Sequence, residues 1–260
     1  MPEGDTVFRT ARRLHEALAG HEVTRFDLRV PAHANADLTG ETVHGVVPRG
    51  KHLLMRIGEY TLHSHLKMEG RWLVFRPGER WRSPAFQARA IVGTVRATAV
   101  GFEIAMVDLV RTADEAELVG HLGPDLLGPD WDPVEAARRV ASDPRPVHVA
   151  ILDQRNLAGL GNEYANELLF VRGILPMRPA NELDASAAAG LVDTAARMIR
   201  ANRDRSGRTF TGDTRPGQQT WVYRRERKPC RRCGTPIRRT EFGATDTSER
   251  IVFWCPVCQT

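Results

Sequence analysis

Lysine is scarce in this chain, because only three of its 37 Lys and Arg residues are lysines: Lys51, Lys67 and Lys228. Since arginine fills nearly every cationic position, each remaining lysine is a candidate for a role that a guanidinium cannot fill. Long apolar runs are also missing, and none approaches the ~20 residues of a membrane-spanning helix. The first residues carry neither the basic start nor the apolar core of a secretory signal. We therefore expect a cytoplasmic protein without a membrane partner.

Cysteine is almost absent as well, since the four cysteines of the 260-residue chain all lie within its last 31 residues. Hydrophobic residues make up 42% of the sequence, which is enough to bury a core and excludes a disordered chain. The length accommodates one large domain, or two moderate domains and a small additional module.

Positive charge is concentrated at one end of the chain. Residues 200–260 hold 14 Lys plus Arg against 6 Asp plus Glu, a net charge of +8, whereas residues 1–199 have a net charge of −3. A basic segment on a nearly neutral body suggests a surface that binds a polyanion such as a nucleic acid. A solvated basic surface in an arginine-rich proteome would give the same counts, so charge alone leaves both interpretations open.

The hydrophobic pattern predicts an α+β fold that begins with a helix and continues as a β-sandwich. Apolar residues recur at helical spacing across 5–19, where Asp5 or Thr6 can cap the helix and Gly20 can end it. Short alternating or β-branched runs separated by turn residues follow, and they indicate antiparallel strands. The predicted strands are 22–30, 42–47, 52–57, 60–65, 71–75, 88–95 and 102–107.

The second half of the chain is predicted to be mainly helical. Helices are predicted at 133–142, 147–157, 162–172 and 184–205, with a loop at 206–219. Five prolines make 123–146 look like a connection between domains. The predicted division is an N-terminal β-sandwich domain (1–122), a linker (123–146), a helical domain (147–223) and a C-terminal finger (224–260).

The four cysteines form two Cys-x2-Cys pairs, Cys230 with Cys233 and Cys255 with Cys258, separated by 21 residues. Two residues between thiolates allow both sulfur atoms to reach one tetrahedral metal ion, and Gly234 suits the turn. The segment between the pairs reads as a hairpin, which predicts a zinc ribbon. Two disulfides or four free thiols are the alternatives, and disulfides disagree with a cytoplasmic location. Four Cys ligands leave no open position for water, so the Zn²⁺ would be structural.

The second residue of the chain is a proline. Removal of Met1 would turn the nitrogen of Pro2 into a secondary amine, and a terminal amine has a pKa near ~8, well below that of lysine at ~10.4. The positive end of the following helix disfavours its protonation further. A neutral secondary amine can attack an aldehyde-like carbon and form an iminium, and Glu3 stands beside it. The alternative is an ordinary helix start, where Pro and Glu are common.

Eight segments along the chain form one recognisable set: 1–5 (MPEGD), 49–51 (RGK), 65–70 (HLKMEG), 121–124 (HLGP), 152–154 (LDQ), 158–165 (AGLGNEYA), 229–236 (PCRRCGTP) and 253–259 (FWCPVCQ). Together, and in this order, they resemble the Fpg/Nei DNA glycosylases over essentially the whole length. Gly4, where the formamidopyrimidine branch usually has Leu, is similar to the endonuclease VIII (Nei) branch. The arginine-rich composition resembles that of an actinobacterial homologue.

The resemblance implies a bifunctional DNA glycosylase and abasic-site lyase of base excision repair. Pro2 would attack C1′ of the damaged nucleotide, and Glu3 would protonate the sugar ring oxygen. The damaged base would leave, a Pro2–sugar iminium would form, and β- and δ-elimination would cut the strand. Oxidised pyrimidines are the favoured substrates. Damaged DNA would be the partner of a monomeric enzyme with no small-molecule cofactor.

The resemblance also implies roles for two further catalytic residues and for the hairpin that holds one of them. Lys51 matches the family's hairpin lysine, which would contact a phosphate beside the lesion and could also donate a proton. Arg49 belongs to the same hairpin. An ordinary turn lysine is the alternative for Lys51. Arg250 matches the finger arginine of the δ-elimination step. Because a guanidinium does not readily give up a proton, a bidentate clamp on the flanking phosphates suits Arg250 better.

Four residues are expected to contact DNA without taking part in the chemistry. Asn162 with Gly161 matches the helix–two-turn–helix element, where backbone N–H groups at a helix start suit a phosphate; a simple turn with an N-cap is the alternative. Met68, with Lys67 beside it, matches the wedge that fills the gap left by the extruded base. In a strand-rich segment, Met68 could instead be a core residue.

Two other functions remain open. One is a specialist for formamidopyrimidine or 8-oxoguanine, although the Arg and Phe that this branch adds near residues 100–110 have no clear counterpart here. The other is a non-catalytic protein that binds damaged DNA, against which intact Pro2 and Glu3 argue.

Overall fold

The computed structural model describes residues 2–242 and 250–260. The chain divides into two compact units, Met1–His121 and Leu122–Thr260. Among the described residues, no helix is both long enough and apolar enough to cross a membrane.

The first unit begins with helix α1, Gly4–Leu18, which confirms the helix predicted at 5–19. The residue before it is Glu3, and the backbone N–H groups of Thr6 and Val7 donate to the Glu3 carbonyl oxygen. Glu3 therefore takes the capping position that the sequence assigned to Asp5 or Thr6. The apolar side of the helix is buried in the core of the unit through Val7, Ala11, Leu14 and Leu18.

Eight strands of the first unit form two antiparallel four-stranded sheets, ordered β1-β6-β7-β5 and β2-β3-β4-β8, which confirms the predicted β-sandwich. The unit also contains a short helix, α2, Glu115–Val119. The strands are β1 Val23–Leu28, β2 Val43–Arg49, β3 His52–Ile57, β4 Tyr60–His65, β5 Arg71–Phe75, β6 Ala88–Thr94, β7 Thr98–Phe102 and β8 Met106–Arg111.

The single strand predicted at 102–107 was wrong, because two strands occupy this region. β7 ends at Phe102 and β8 begins at Met106, and between them Glu103 adopts a φ of 51°. β7 escaped prediction because the small residues Ala99 and Gly101 interrupt its β-branched residues Thr98 and Val100. A Cβ atom on Gly101 would lie 3.2 Å from the Trp72 ring, so close packing between neighbouring strands excludes a larger side chain there.

The two faces of the sheet β2-β3-β4-β8 differ in chemistry. On one face, Leu53 and Met55 of β3 and Leu62 of β4 are buried in the apolar core. Because side chains alternate between the faces of a strand, the opposite face carries His52 from β3 and His63 from β4. A polar layer therefore lies behind the catalytic hairpin predicted at residues 49–51.

The second unit contains a bundle of four helices, α3 Pro133–Ala141, α4 Val147–Leu152, α5 Asn162–Arg172 and α6 Ala185–Asn202. α4 is shorter than the predicted 147–157, because the Asp153 side chain accepts the backbone N–H of Arg155 and so competes with continued helix. α6 ends at Asn202 rather than at residue 205.

Helix α3 lies inside the segment predicted as a linker, 123–146. Its residues Ala136 and Val140 are fully buried in the core that also contains Leu191 and Ala195 of α6. This part of the segment is thus packed into the helical bundle. The boundaries of the four predicted domains remain a prediction.

The C-terminal strands β9, Arg238–Phe242, and β10, Arg250–Trp254, pair as an antiparallel hairpin between the two cysteine pairs, as predicted. The hairpin does not have a core of its own. Phe170 of α5 packs with Val222, Ile237 and Phe253 in one small apolar cluster. The ribbon therefore completes its core with a side chain from the helical bundle.

A buried carboxylate joins α5 to the segment that leads into the ribbon. Glu167 is fully buried, and its two oxygens accept the backbone N–H groups of Trp221, Val222 and Tyr223 at 2.7–2.9 Å. Burial raises the pKa of Glu167 from 4.5 to about 7, although the three N–H donors act in the opposite direction. Folding therefore favours the protonated form of this carboxyl group.

This shift has a measurable effect on stability. Because the pKa is raised on folding, the contribution of Glu167 is fully present below pH 4.5 and is lost as the pH rises through about 7. Relative to Glu167→Gln, we expect the wild-type free energy of unfolding to fall by roughly 3 kcal/mol between these limits. Urea denaturation at several pH values measures the difference. Glu182→Gln, at an exposed glutamate, should follow the wild type; a pH-independent difference for Glu167→Gln would contradict the assignment.

Candidate active site and metal centre

The N-terminal pair Pro2–Glu3 lies at the start of helix α1. Pro2 is half-buried, whereas Glu3 is fully buried directly before the first turn of the helix. The positive end of the helix dipole disfavours a protonated amine at this place and favours a carboxylate. Met1 lies outside the described residues. The arrangement provides an acid–base group beside the nitrogen of residue 2.

The hairpin that joins β2 and β3 carries Arg49 and Lys51. Its last pair is Arg49 with His52, and Gly50 adopts a φ of 57°, which favours glycine at this turn. Arg49 and Lys51 are both half-buried. The hairpin therefore holds two cations at one end of the sheet.

The loop after β4 presents Met68. This side chain is 60% exposed, so the interpretation of Met68 as a core residue is wrong. Lys67 adopts a φ of 51°, and Gly70 approaches Leu66 so closely that a Cβ atom would lie 2.5 Å from its carbonyl oxygen. The tight loop turns its tip outward, as a wedge requires.

His65 is a site residue that the sequence analysis missed. It is the last residue of β4, and its Nδ1 accepts the backbone N–H of Lys67 at 3.0 Å. Burial first, and then the charges of Lys67 and Lys51, lower the pKa of His65 to about 4. His65 is consequently neutral at pH 7 and carries its proton on Nε2 as a donor. Its place in the HLKMEG segment was the available signal.

The helix–two-turn–helix element presents Asn162 as the first residue of α5. Only one of its two preceding glycines needs a left-handed backbone, since Gly159 has a φ of 108° and Gly161 an extended φ of −126°. The Asn162 side chain is 6% exposed. The tight turn before α5 thus depends on Gly159 more than on Gly161.

Asn162 contacts the ribbon through its side chain. Its Nδ2 donates to the Ile251 carbonyl at 2.9 Å, and its Oδ1 lies 3.0 Å from Nε2 of His148. One turn later, Asn166 accepts the backbone N–H of Phe253. These contacts bring β10, whose first residue is Arg250, against α5. At least one donor of Asn162 is therefore used within the protein.

The four cysteines converge on one point. Their Sγ atoms all lie within 4.8 Å of one another, with Cys230–Cys258 at 3.9 Å and Cys233–Cys255 at 3.4 Å. None is in a disulfide. In a tetrahedral zinc site with bonds of ~2.3 Å the sulfur atoms are separated by about 3.8 Å, so the arrangement fits a tetrahedral metal ion.

Gln259 supports the second cysteine pair, Cys255 with Cys258, and the sequence analysis missed it as well. It is 1% exposed; its Oε1 accepts the backbone N–H of Cys255, and its Nε2 donates to the carbonyl of Ile174. The side chain thereby ties the four-cysteine cluster to the turn after α5. Only its proximity to Cys258 in the sequence could have indicated this role.

The structure thus gathers the predicted residues in three groups. Within the first unit, Pro2 and Glu3 share the start of α1, which is the first group. The second group lies on two loops of one sheet: the β2–β3 hairpin carries Arg49 and Lys51, and the loop after β4 carries Lys67 and Met68. Within the second unit, α5 and the ribbon carry Gly161, Asn162, Arg250 and the four cysteines.

Comparison with protein families covers most of the chain. Residues 1–119 match the family described as the formamidopyrimidine-DNA glycosylase N-terminal domain. Residues 122–211 match the formamidopyrimidine-DNA glycosylase H2TH domain.

Full-length relatives carry consistent names. The chain is 54% identical to a probable endonuclease 8 2 of Streptomyces coelicolor, covering 100% of this chain and 94% of the relative. It is 48% identical to the DNA-(apurinic or apyrimidinic site) lyase Nei2 of Mycolicibacterium smegmatis, covering 100% and 99%.

Solved structures share the fold. One is a formamidopyrimidine-DNA glycosylase of Lactococcus lactis, with a TM-score of 0.82 and 23% identity over 99% of both chains. Another is MutM, with a TM-score of 0.83 and 24% identity over 100% of both chains. The family matches, the full-length relatives and the fold agree, and the chain therefore belongs to the Fpg/Nei family of DNA glycosylases, in its endonuclease VIII branch.

Proposed function

We propose that this chain is a bifunctional DNA glycosylase and abasic-site lyase of base excision repair that removes oxidised bases, pyrimidines in particular. The observation that carries the proposal is a fully buried Glu3 directly after Pro2 at the start of a helix. The relatives named endonuclease 8 and DNA-(apurinic or apyrimidinic site) lyase support it. One relevant solved relative is described as bound to DNA that contains an abasic site, which supports damaged DNA as the partner.

The first half of the reaction uses Pro2 as the nucleophile. Once Met1 is removed, the lone pair of the Pro2 nitrogen forms a bond to C1′ as the bond from C1′ to the damaged base breaks. The base leaves with the electron pair of that bond and takes up the proton that the Pro2 nitrogen loses. Glu3 gives a proton to the ring oxygen O4′, which opens the sugar and leaves an iminium between Pro2 and C1′. Covalent catalysis of this kind divides one difficult step into easier ones.

The second half cuts the strand. The iminium withdraws electrons from C2′, so a base removes the C2′ proton and the 3′ phosphate leaves with the electron pair of its C3′–O bond. A further elimination releases the 5′ phosphate, and hydrolysis of the iminium restores the amine of Pro2. Positive side chains that hold the two phosphates stabilise their departure.

The remaining predicted residues are proposed to bind the DNA backbone or to fill the gap that the extruded base leaves in the DNA duplex. Lys51 contacts a phosphate beside the lesion, with Arg49 in the same hairpin. Arg250 clamps the flanking phosphates, while Asn162 and Gly161 present donors at the start of α5. Met68 replaces the extruded base, with Lys67 beside it. A monomer suffices, because every one of these residues comes from one chain, and the proposed location is the cytoplasm.

We propose that the four-cysteine centre holds one structural Zn²⁺. The donor set of four thiolates suits zinc and leaves no position for a reactive water molecule. Its task is to fold the ribbon and so to place the start of β10. No step of the reaction passes through the metal ion.

Trapping tests the nucleophile. With borohydride and a duplex containing an oxidised pyrimidine, we expect a covalent protein–DNA adduct, because borohydride reduces an iminium to a stable amine. Glu3→Gln should slow base release by at least about 100-fold and still form the adduct with a preformed abasic site. The N-terminal mass must show that Met1 is removed.

A matched control keeps Pro2 but blocks its nitrogen. Insertion of one alanine between Met1 and Pro2 makes that nitrogen an amide, and we expect the variant to bind damaged DNA without trapping. Wild-type protein that lacks Met1 and yields no adduct, while still binding DNA, would support the non-catalytic alternative.

A panel of duplexes separates the substrate alternatives. We expect thymine glycol and dihydrouracil to be released faster than 8-oxoguanine, because the loop residues near 103–105 carry no Arg or Phe. Release rates under single-turnover conditions provide the measurement. Faster release of 8-oxoguanine would favour the formamidopyrimidine branch.

Removal of the metal tests the ribbon. We expect one Zn²⁺ per chain by mass spectrometry, and its loss on chelation or in Cys233→Ser. Because metal binding contributes on the order of 10 kcal/mol to the folding of such modules, amides of 229–242 and 250–260 should lose their protection from hydrogen exchange. Readded zinc should restore the chelated wild type but not the variant. Protection that survives complete metal removal would refute a structural role.

A further inference from the structure

A row of ionisable side chains crosses the polar face of the sheet β2-β3-β4-β8. The backbone register places His52 of β3 opposite His65 of β4, and His63 of β4 opposite Asp108 of β8. His121, the last residue of the first unit, lies near the row, with its ring 6.3 Å from that of His52. Neither the proposed reaction nor the family motifs assign a task to His52, His63 or Asp108.

Two hydrogen bonds connect the row. Oδ2 of Asp108 lies 3.0 Å from Nδ1 of His63, and Nε2 of His63 lies 2.8 Å from Nδ1 of His52. The rings of His52 and His63 are stacked with centroids 5.0 Å apart. His63 is 2% exposed, whereas the Asp108 side chain is 41% exposed. A chain of hydrogen bonds thus runs from a partly exposed carboxylate through a buried imidazole to His52.

The chemistry of the donors and acceptors determines which nitrogen of each histidine carries a proton in this row of hydrogen bonds. An ionised carboxylate only accepts hydrogen bonds, so Nδ1 of His63 carries a proton and Nε2 of His63 is an acceptor. Nδ1 of His52 must then be the donor. The neutral His52 ring consequently has an unprotonated Nε2, which is the open end of the chain.

The ring of His52 lies near other histidines and near cations of the two neighbouring loops. The ring of His52 is 4.9 Å from that of His65, and its strand partner on β2 is Arg49. Burial first, and then His65, His63, His121 and Lys67, lower the pKa of His52 to about 3. Lys51 precedes His52 and acts on His65. Further along the same face, Arg56 is paired with Glu115. Asp108 is therefore the carboxylate within the hydrogen-bonded row itself.

We propose that Asp108, His63 and His52 form a proton relay behind the Lys51 hairpin, which takes up a proton when an anionic phosphate of DNA binds beside Lys51, His65 and Lys67. His52 and His63 are positioning residues, since they act through the hairpin and not on the reacting atoms. The inference rests on the proposed function, because it takes DNA as the anion.

The proton step balances within the relay. A proton from solvent adds to Nε2 of His52, and the proton on Nδ1 of His52 moves along the 2.8 Å hydrogen bond to Nε2 of His63. His52 is then neutral again, with its proton on Nε2. The positive charge rests on His63, beside the carboxylate of Asp108.

Phosphate binding provides the driving force. In the free protein the neighbouring cations oppose a further positive charge on this face, and a bound phosphate cancels part of their potential. The carboxylate of Asp108 compensates the charge that the relay stores in a buried position. The face behind the hairpin can thus gain positive charge when the DNA backbone binds, without a further lysine.

The free protein provides the first test. In ¹⁵N-labelled wild-type protein at pH 7, long-range ¹H–¹⁵N spectra distinguish the two neutral tautomers and the imidazolium. We expect the Nδ1–H tautomer for both His52 and His63 and the Nε2–H tautomer for His65. A His52 imidazolium, or His52 with its proton on Nε2, would overturn the relay without any measurement on DNA.

Proton uptake on binding provides the second test. Titration calorimetry with a duplex that carries a tetrahydrofuran abasic-site analogue, in two buffers of different ionisation enthalpy at pH 6.5 and fixed salt, counts the protons taken up. We expect roughly half a proton for the wild type, equivalent to an affinity that rises about threefold per unit decrease in pH. Asp108→Asn, which keeps the size of the side chain and removes its charge, should abolish most of this uptake.

Two more variants separate a relay from a structural role. His63→Leu breaks the chain and should abolish uptake, and unchanged thermal unfolding of Asp108→Asn shows that a loss of uptake is not a loss of fold. His44→Gln is the matched control, since His44 is an exposed histidine of β2 and should leave uptake unchanged. Equal uptake in Asp108→Asn and wild type, or no uptake by a wild type that binds and cleaves, would overturn the relay. A wild type that fails to bind the duplex would instead overturn the proposed function, and the tautomers would still decide the relay.

Discussion

The second unit depends on the hydrogen bonds of the polar side chains that α5 buries against the ribbon. Asn162, Asn166 and Glu167 are each 6% exposed or less, and together they bind backbone groups of β10 and of residues 221–223. A buried polar group without partners costs roughly 1–3 kcal/mol, so the ribbon backbone can occupy only the position that satisfies them. The start of β10 and the cysteine knuckles are held relative to α5 by this requirement.

The first unit obeys a different constraint, the alternation of side chains across a sheet. Because one face of β2-β3-β4-β8 completes the apolar core, the residues between the core positions must point the other way. At the end of the sheet where β3 begins and β4 ends, the alternation places His52 and His65 on the same face, beside the hairpin lysine. The same geometry aligns His63 with Asp108. The face of this sheet that lies away from the apolar core thus concentrates titratable side chains near the Lys51 hairpin.

Much of the site could be predicted because its residues are consecutive or regularly spaced. Pro2 and Glu3 are adjacent, and the spacing of the two Cys-x2-Cys pairs favours a metal site over two disulfides or four free thiols. The residues that escaped prediction act through partners far away in the sequence. Gln259 contacts the Ile174 carbonyl, and His63 acquires a distinct role only when β8 supplies Asp108. β7 escaped for a related reason, since its small residues reflect the packing of neighbouring strands.

The sequence by itself determined the classes of most elements, and it predicted a metal site at the four cysteines and a nucleophile at Pro2, because local spacing and residue chemistry suffice for these. It also indicated the family, which the comparisons confirmed. Only the tertiary structure decided that Met68 is exposed, that α3 packs into the helical bundle and that His52 and His63 form one hydrogen-bonded row. These properties depend on which strands and helices become neighbours, and burial and proton order follow from contacts between residues that are distant in the chain.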